Sequence, residues 1–276
     1  MSLTNSPFWF ASGATAAGGG GTVVYPYSID QSLRLDGSTA YLSKNDFGTS
    51  TDTTKRTFST WVKRGDTEGV AAYNHIIGAG SSSIDGFGFQ SGTAKLQWIQ
   101  GGSVTKEGVR DLRDTSAWYH FFTTWNATDN ELFIYVNGEL DYSDTGSLSA
   151  LSKLGNTGHT TYIGKRSNAS TYIQGYLAET VFLDGYIGDV NDFGELVNGI
   201  WVPKDISAAS LTYGTNGFYL DYADSSDFGK DVSGRGNHFT SNNLAASDVV
   251  NDSPTDNAVT MDYNNRKGVT LSEGNL

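Results

Sequence analysis

The sequence contains no cysteine among its 276 residues, so neither a disulfide framework nor a thiolate metal site is available to it. It has no run of lysine and arginine, and its net charge of −12 argues against nucleic-acid binding, which requires a basic surface. No apolar stretch approaches the length of about 18 residues that a membrane-spanning helix needs. We therefore expect no nucleic-acid partner and no membrane insertion, and the acidity favours solubility at high local concentration.

Signatures of catalysis and of secretion are missing as well. There is no G-x-S-x-G elbow for a nucleophilic serine, and the four histidines do not have the spacing of a metal site. The glycines at 18–21 lack the lysine and the following helix of a phosphate-binding loop. Residues 1–29 lack the basic and apolar segments of a signal peptide. We predict no enzyme activity, and no cofactor apart from the calcium ion considered below.

Glycine and aromatic residues are what the sequence has in abundance. Aromatic residues make up 13% of the chain and there are 34 glycines, which suits short β-strands joined by turns around an aromatic core. The clearest strands lie in the stretch 118–142, where Phe121 and Trp125 alternate with His120 and Asn137–Gly138 predicts a type I′ hairpin turn. Because these strands are apolar on both faces, we expect them at the centre of a sheet covered on both sides, with His120 as a hydrogen-bonded core residue.

Four ordered motifs resemble those of laminin G-like, concanavalin A-like lectin domains. They are FSTWVK at 58–63, WYHFFTTWNATDNELFIYVNG at 118–138, YIGKR at 162–166 and GYLAETVF at 175–182. The resemblance covers roughly residues 30–190 and implies an all-β, two-sheet antiparallel jelly-roll sandwich. It says little about the ligand, because this fold hosts lectins, adhesion modules, glycanases and scaffolds.

The segment 216–240 resembles the start of a laminin G-like domain, although it follows the other motifs. Because the first and last strands of a sandwich are often adjacent, we expect this C-terminal extension to complete the sandwich as a permuted strand, in its own chain or in a neighbouring subunit. The predicted organisation is an anchoring arm at 1–29, a sandwich with a C-terminal added strand at 30–250, and a polar tail at 251–276.

Residues 192–256 carry a second resemblance. The motifs DFGE, WVPK, YGTNGFYLDYADSSDFGKDVSGRGN and NDSPTD are similar to those of virion appendage proteins of marine tailed bacteriophages. This implies a structural protein of the virion surface, as a fibre, a spike or a capsid decoration, with a homotrimer favoured and a lectin-like domain that attaches to a host-surface glycan. A stand-alone carbohydrate-binding or adhesion module is the alternative, and a polysaccharide depolymerase is a third reading.

The N-terminal segment is interpreted as the anchor to other virion proteins. Phe8, Trp9 and Phe10 form an aromatic cluster, and a tetraglycine follows at 18–21. Ordering glycine costs on the order of 1–2 kcal/mol per residue in backbone entropy, so a spacer of this kind is useful only if the aromatic cluster is buried elsewhere. We predict that the cluster inserts into a partner or a sister subunit; a flexible tail is the alternative.

A glycan site would combine an aromatic ring, on which the sugar stacks, with nearby hydrogen-bonding groups. Phe133 and Tyr135 share the strand face opposite Leu132 and Ile134, and we expect Trp98 near them. These three aromatic residues are the candidate glycan-binding residues. The alternative is that the arm, the C-terminal extension or a neighbouring subunit covers this face.

The laminin G-like resemblance also implies a calcium site, because such domains often bind calcium at an edge of the sandwich. The candidate ligands are the clustered acids Asp221, Asp224, Asp227 and Asp231. Their spacing does not match an EF-hand, and acids in such Asp/Ser/Gly segments commonly form turns.

Three further segments carry local predictions. Glu139–Asp144 superficially resembles the E-[ILV]-D-x-x-E strand of concanavalin-like glycanases, whose paired carboxylates lie about 5 Å apart in retaining enzymes. Its last acid is an aspartate and it follows a hairpin turn, so we predict no catalysis there. We predict a solvated loop at 101–116 and a short helix from Asp192 to about Asn198.

Overall fold

The computed structural model describes residues 25–66, 74–90 and 92–257, and the predicted anchor residues Phe8, Trp9 and Phe10 lie outside this part. The described chain forms seventeen strands and two single-turn 3-10 helices, at Val190–Asp192 and Ala246–Asp248. The strands are β1 (Ser32–Asp36), β2 (Tyr41–Lys44), β3 (Lys55–Arg64), β4 (Asn74–Ala79), β5 (Asp85–Phe89), β6 (Leu96–Gln100), β7 (Ser103–Glu107), β8 (Trp118–Asn126), β9 (Glu131–Val136), β10 (Glu139–Asp144), β11 (Thr161–Ile163), β12 (Gln174–Asp184), β13 (Gly194–Val197), β14 (Ile200–Pro203), β15 (Phe218–Leu220), β16 (Thr240–Asn242) and β17 (Val249–Val250).

The strands form two antiparallel sheets that pack face to face, which confirms the predicted all-β sandwich. Sheet 1 has the strand order β10-β9-β8-β3-β12-β1-β17, with β15 paired to β12. Sheet 2 has the order β16-β2-β11-β4-β5-β6-β7, and β13 and β14 form a separate hairpin. The strands predicted at 118–142 are β8, β9 and β10, and β8 lies between β3 and β9 near the centre of sheet 1.

The turn after β1 moves the chain from one sheet to the other. The carboxylate of Asp36 accepts hydrogen bonds from the backbone N–H groups of residues 38–40, at 2.8–2.9 Å. Gly37 adopts a φ of 73°, a left-handed conformation that glycine tolerates without a Cβ penalty. Strands β1 and β2 on either side of this turn therefore lie in different sheets and do not pair with each other.

Aromatic rings fill the space between the sheets. The ring of Trp98 on β6 lies 5.2 Å from that of Phe87 and 5.5 Å from that of Trp125 across the sandwich. Its indole N–H donates to the hydroxyl of Thr123 at 2.8 Å, so the one polar group of the ring is satisfied. Burying such a ring stabilises the fold by roughly 4–6 kcal/mol as an upper bound, at about 25 cal/mol per Å².

The C-terminal extension completes the sandwich within the same chain. β15 pairs with β12, β16 with β2 and β17 with β1, so the extension contributes to both sheets. The segment beyond β17 is also attached, because Asp252 is buried and accepts hydrogen bonds from the ammonium of Lys63 at 2.8 Å and the indole N–H of Trp118 at 3.0 Å. The tail predicted from residue 251 is therefore part of the fold up to residue 257, and residues 258–276 lie outside the described part.

The outer face of sheet 1 is covered by the chain that follows β12 and by residues 25–29. The ring of Phe193 lies 5.4 Å from that of Phe122, and Ile206 packs in the same cluster. Tyr27 and Ile29 pack in a second cluster against Trp61. The central strands of sheet 1 are thus covered on both sides, as their double-sided apolar pattern predicted.

Two local predictions are wrong. Residues 103–107 form strand β7 at the edge of sheet 2, where a solvated loop was expected. Residues 194–203 form the β13–β14 hairpin, where a short helix was expected after Asp192; the one helical turn there ends at Asp192. Within the described ranges, no helix is long and apolar enough to span a membrane.

Candidate functional site

Trp98 does not belong to a surface site. Its side chain is 0% exposed and lies in the core between the sheets, whereas Phe133 and Tyr135 are half-buried on the outer face of sheet 1. A sugar cannot stack on a ring that is enclosed on both faces, so the prediction that Trp98 binds a glycan is wrong.

Phe133 and Tyr135 remain together as an aromatic pair, with ring centroids 6.3 Å apart and an angle of 45° between the rings. The ring of Tyr135 also packs edge-on against Phe122 at 5.8 Å, within the cluster that the C-terminal extension covers. The covering predicted as the alternative is therefore present next to this pair. Their role in glycan binding stays a prediction.

The calcium candidates do not converge. Asp224 accepts hydrogen bonds from both the backbone N–H and the hydroxyl of Ser226 and lies 3.4 Å from the ammonium of Lys230. Asp231 is buried and accepts three backbone N–H groups, the nearest from Asn237 at 2.8 Å. Asp221 accepts the backbone N–H of residue 223, and Asp227 is exposed. In residues 25–66, 74–90 and 92–257, no group of three or more His, Asp and Glu side chains could hold a metal ion.

The acids of β10 are engaged by structural partners, and Glu139 and Asp141 share Arg110. Asp141 accepts backbone N–H groups of Val109 and Arg110 at 3.2 and 3.1 Å, and Glu139 pairs with the guanidinium of Arg110 at 2.8 Å. Asp144, at the other end of the strand, pairs with Lys106. These carboxylates hold the segment 106–110 against sheet 1, and they do not form an acid–nucleophile pair.

His120 is a hydrogen-bonded core residue, as expected. Its Nε2 lies 2.8 Å from the hydroxyl of Ser59, and its Nδ1 accepts the indole N–H of Trp201 at 3.0 Å. Burial lowers the pKa of His120 to about 3, so the ring is neutral at pH 7 and fastens the β13–β14 hairpin to sheet 1.

The outer face of sheet 2 carries a different group of aromatic residues. Tyr41 on β2 points away from the core residue Leu42, and Tyr162 on β11 points away from the core residue Ile163. The ring of Tyr41 lies 5.9 Å from that of Tyr162 and 6.0 Å from that of Tyr172. We call these three half-buried residues the tyrosine cluster.

A lysine occupies the middle of the tyrosine cluster. The ammonium of Lys165 lies 4.7, 4.9 and 5.8 Å from the ring centroids of Tyr41, Tyr162 and Tyr172. Lys165 is held there by a backbone bridge to Tyr172. Each cation–π contact contributes about 0.5–1 kcal/mol at a partly exposed position. The cluster therefore presents fixed rings, phenol groups and one positive charge on a single surface.

A polar strip extends from the tyrosine cluster across sheet 2. Tyr162 pairs with Gly78, and a Cβ on Gly78 or Gly86 would lie 2.6 Å from Nδ1 of His75. The imidazole of His75 thus rests on two glycines on the outer face of the sheet, beside the tyrosine cluster. Burial, and secondly the charge of Arg166, lowers the pKa of His75 to about 3, so the ring is neutral at pH 7.

Several buried polar atoms in this strip have no protein partner within the described residues. They are both ring nitrogens of His75, Oε1 of Gln97 and the hydroxyl of Ser167. Gln97 belongs to the same side of sheet 2, because it alternates with the core residues Leu96 and Trp98. Buried polar groups are normally hydrogen-bonded, so these atoms mark the part of sheet 2 beside the tyrosine cluster as chemically distinct.

Family comparison identifies the domain that carries these residues. The sequence profile of the concanavalin A-like lectin/glucanases superfamily matches residues 36–187, more than half of the chain. The chain belongs to this superfamily. The match confirms the laminin G-like resemblance of the sequence motifs, and all members of the tyrosine cluster lie within the matched superfamily domain.

Solved structures of other proteins are similar to parts of this chain. A Bacteroides ovatus protein of proposed carbohydrate-binding function has a TM-score of 0.51 and 18% identity, covering 78% of this chain and 60% of its own. The SAP-like pentraxin of Limulus polyphemus has a TM-score of 0.45 and 17% identity, covering 58% of this chain and 78% of its own. Domain 4 of the Geobacillus stearothermophilus arabinanase AbnA has a TM-score of 0.45 and 18% identity, covering 61% and 78%. No match was found among the curated proteins.

Proposed function

We propose that this superfamily domain is a carbohydrate-binding module and that the tyrosine cluster is its binding surface. The observation that carries the proposal is the set of three adjacent phenol rings on the outer face of sheet 2, fixed around Lys165. Rings of this kind stack on the apolar face of a sugar, and phenol and ammonium groups supply hydrogen bonds to its hydroxyls. Membership of a superfamily described by its lectins and glucanases supports the same conclusion.

Truncating the cluster should abolish glycan binding without unfolding the domain. We expect Tyr41→Ala and Tyr162→Ala each to weaken binding at least about tenfold, as removal of a central aromatic anchor does. A glycan array identifies the ligand, and titration calorimetry with the best ligand measures the change. Tyr186→Ala is the matched control, because Tyr186 is an exposed tyrosine outside the cluster.

The Phe133/Tyr135 pair provides the competing site for that experiment. If Tyr135→Ala lost binding while Tyr162→Ala retained it, the site would lie on sheet 1 and the proposed surface would be wrong. If no variant changed the affinity, neither aromatic group would be the binding surface.

The proposal extends to the biological setting of the module. We assign it to the surface of a bacteriophage particle, as a fibre, spike or capsid-decoration component that attaches to host-surface glycans. The motifs at 192–256 support this, since they resemble virion appendage proteins. The acidic surface and the predicted anchor at residues 8–10 also support it. Homotrimeric assembly and contacts with other virion proteins through the arm belong to the same proposal.

Removing residues 1–21 should leave a folded domain that no longer joins its assembly. Tyr27 and Ile29, which pack on sheet 1, remain in this truncated chain, so its melting temperature should change little. Light scattering of the purified protein and incorporation into particles measure the assembly. A full-length variant with serine at positions 8, 9 and 10 is the matched control and should behave like the truncation.

Two results would contradict the prediction that residues 1–21 anchor the protein to its assembly. A truncated chain that fails to fold would make residues 1–21 part of the domain, and one that assembles normally would make them dispensable. The second result would favour a stand-alone carbohydrate-binding or adhesion module. A depolymerase finds no support in β10, because its acids are engaged with residues 106–110.

A further inference from the structure

The charge at the tyrosine cluster is unusual for this chain. Most described cations have a carboxylate partner within salt-bridge distance, as Arg34, Lys63 and Lys153 do. The ammonium of Lys165 has no such partner among the described residues and is surrounded by three rings instead. In a chain of net charge −12, a cation that no described carboxylate neutralises is available to an anionic ligand.

The surroundings of Lys165 add to this positive character. Arg166 follows it directly, and its charge reaches His75 across the sheet, where it contributes to lowering the imidazole pKa. Burial, followed by the neighbouring Tyr162 and Tyr172, raises the pKa of the Tyr41 phenol, and no carboxylate is among the causes. The acidic protein thus carries two cations that are adjacent in the sequence, Lys165 and Arg166, at the tyrosine cluster.

Two polar side chains follow Lys165 closely in the sequence and belong to the same turn. The buried hydroxyl of Ser167 has no protein partner within the described part of the chain, and the amide of Asn168 is fixed by a 2.8 Å hydrogen bond from the guanidinium of Arg166. Lys165 is immobilised by three rings, so little side-chain entropy remains to be lost when an anion binds.

We propose that the tyrosine cluster selects acidic saccharides, with the sugar ring on the phenol rings and its carboxylate or sulfate ester against the ammonium of Lys165. This inference rests on the proposed carbohydrate-binding function and specifies its ligand class. Carboxylate and sulfate share the chemistry that Lys165 recognises, a compact oxyanion that accepts charge-assisted hydrogen bonds.

Matched pairs of saccharides test the proposal. One arm compares oligogalacturonides with their methyl esters, and the other compares carrageenan oligosaccharides with their desulfated forms. The full-length protein should bind the acidic member of at least one pair about tenfold more tightly than the neutral member, the effect of one charge-assisted contact. The arm that shows the preference identifies the anion as carboxylate or sulfate.

Substitutions of Lys165 distinguish the effect of its charge on binding from the effect of its packing. Lys165→Gln should reduce the acidic preference to within about twofold, and Lys165→Arg should retain most of it because it preserves the charge. Lys204→Gln is the charge-matched control: Lys204 is exposed near the end of β14 and donates to the carbonyl of Asn191. The preference should survive in that control, and melting temperatures verify that all three variants are folded.

The outcomes distinguish this inference from the function on which it rests. Equal binding of acidic and neutral members, or an acidic preference that Lys165→Gln leaves intact, would overturn the inference while carbohydrate binding stands. Binding to no member of either pair, together with an empty glycan array, would overturn both.

Discussion

Replacing Asp184 by alanine should lower the free energy of unfolding by about 3–5 kcal/mol, the cost of leaving a buried charge without its partner. Asp184 and Arg56 are both 0% exposed, and their carboxylate and guanidinium lie 3.0 Å apart. Burial lowers the pKa of Arg56, but an arginine remains charged at any ordinary pH. The variant would therefore keep an uncompensated guanidinium inside the protein.

Asp184 also connects segments that are distant in the sequence. Its Oδ2 accepts the backbone N–H groups of Thr51 at 2.8 Å and Asn216 at 3.0 Å. It thereby joins the loop before β3 and the segment before β15 to the end of β12. Loss of these hydrogen bonds should weaken the attachment of the C-terminal extension to β12, in addition to the loss of the Arg56–Asp184 ion pair.

Urea denaturation at pH 7 measures the effect of Asp184→Ala. Asp46→Ala is the control, because Asp46 pairs with Lys44 at 2.8 Å while its own side chain is 77% exposed, and surface pairs contribute less than about 1 kcal/mol. Similar losses in the two variants would mean that burial does not set the strength of the Arg56–Asp184 pair.

Glu179→Gln should stabilise the protein at pH 8 by up to about 3 kcal/mol and have little effect below pH 4.5. Glu179 is buried, and burial raises its pKa to about 7, although the hydroxyls of Tyr27 at 2.6 Å and Tyr219 at 2.8 Å donate to it and oppose the shift. A carboxyl whose pKa is higher in the folded state stabilises the fold when protonated. That contribution is complete below the unfolded value near 4.5 and is lost as the pH rises through about 7.

The comparison of wild type with Glu179→Gln isolates this group. His75 and His120 act in the opposite sense, because burial lowers their pKa values to about 3 and their contribution is lost as the pH falls through about 6.5 and below. Both histidines are present in each protein, so their effect cancels in the difference. A difference in unfolding free energy that is constant from pH 5 to pH 8 would contradict the assignment.

The sequence predicted the strands whose patterns are local. The alternation at 118–142 and the Asn137–Gly138 turn placed β8, β9 and β10 correctly. The same dipeptide occurs at Asn198–Gly199, with φ angles of 54° and 82°, and forms the β13–β14 turn. This hairpin signal was present in the sequence, but the acidic residues before it favoured a helix cap. Strand β7 was missed because interspersed charges are typical of both solvated loops and protected edge strands.

The tyrosine cluster could not be predicted from the sequence, because it depends on contacts between strands that are distant along the chain. On β6, Leu96 and Trp98 lie on one face and Gln97 and Ile99 on the other, so alternation favours the Trp98 face for the core. It does not show what packs against either face. Tyr41 and Tyr162 come together because β2 pairs with β11, and the sequence offers no signal for that pairing. An outward tyrosine between inward residues is the local feature that could have marked each of them.

The contact between Ile29 and Thr255 joins the segments that precede β1 and follow β17. The hydroxyl of Thr255 accepts the backbone N–H of Ile29 at 3.0 Å and donates to its carbonyl at 2.9 Å. The segments that lead into and out of the sandwich therefore cross its boundary at one point. A load applied through these two segments is therefore expected to act first on the hydrogen bonds between Ile29 and Thr255, before it reaches β1 and β17. The tyrosine cluster lies on the outer face of the opposite sheet, away from this contact.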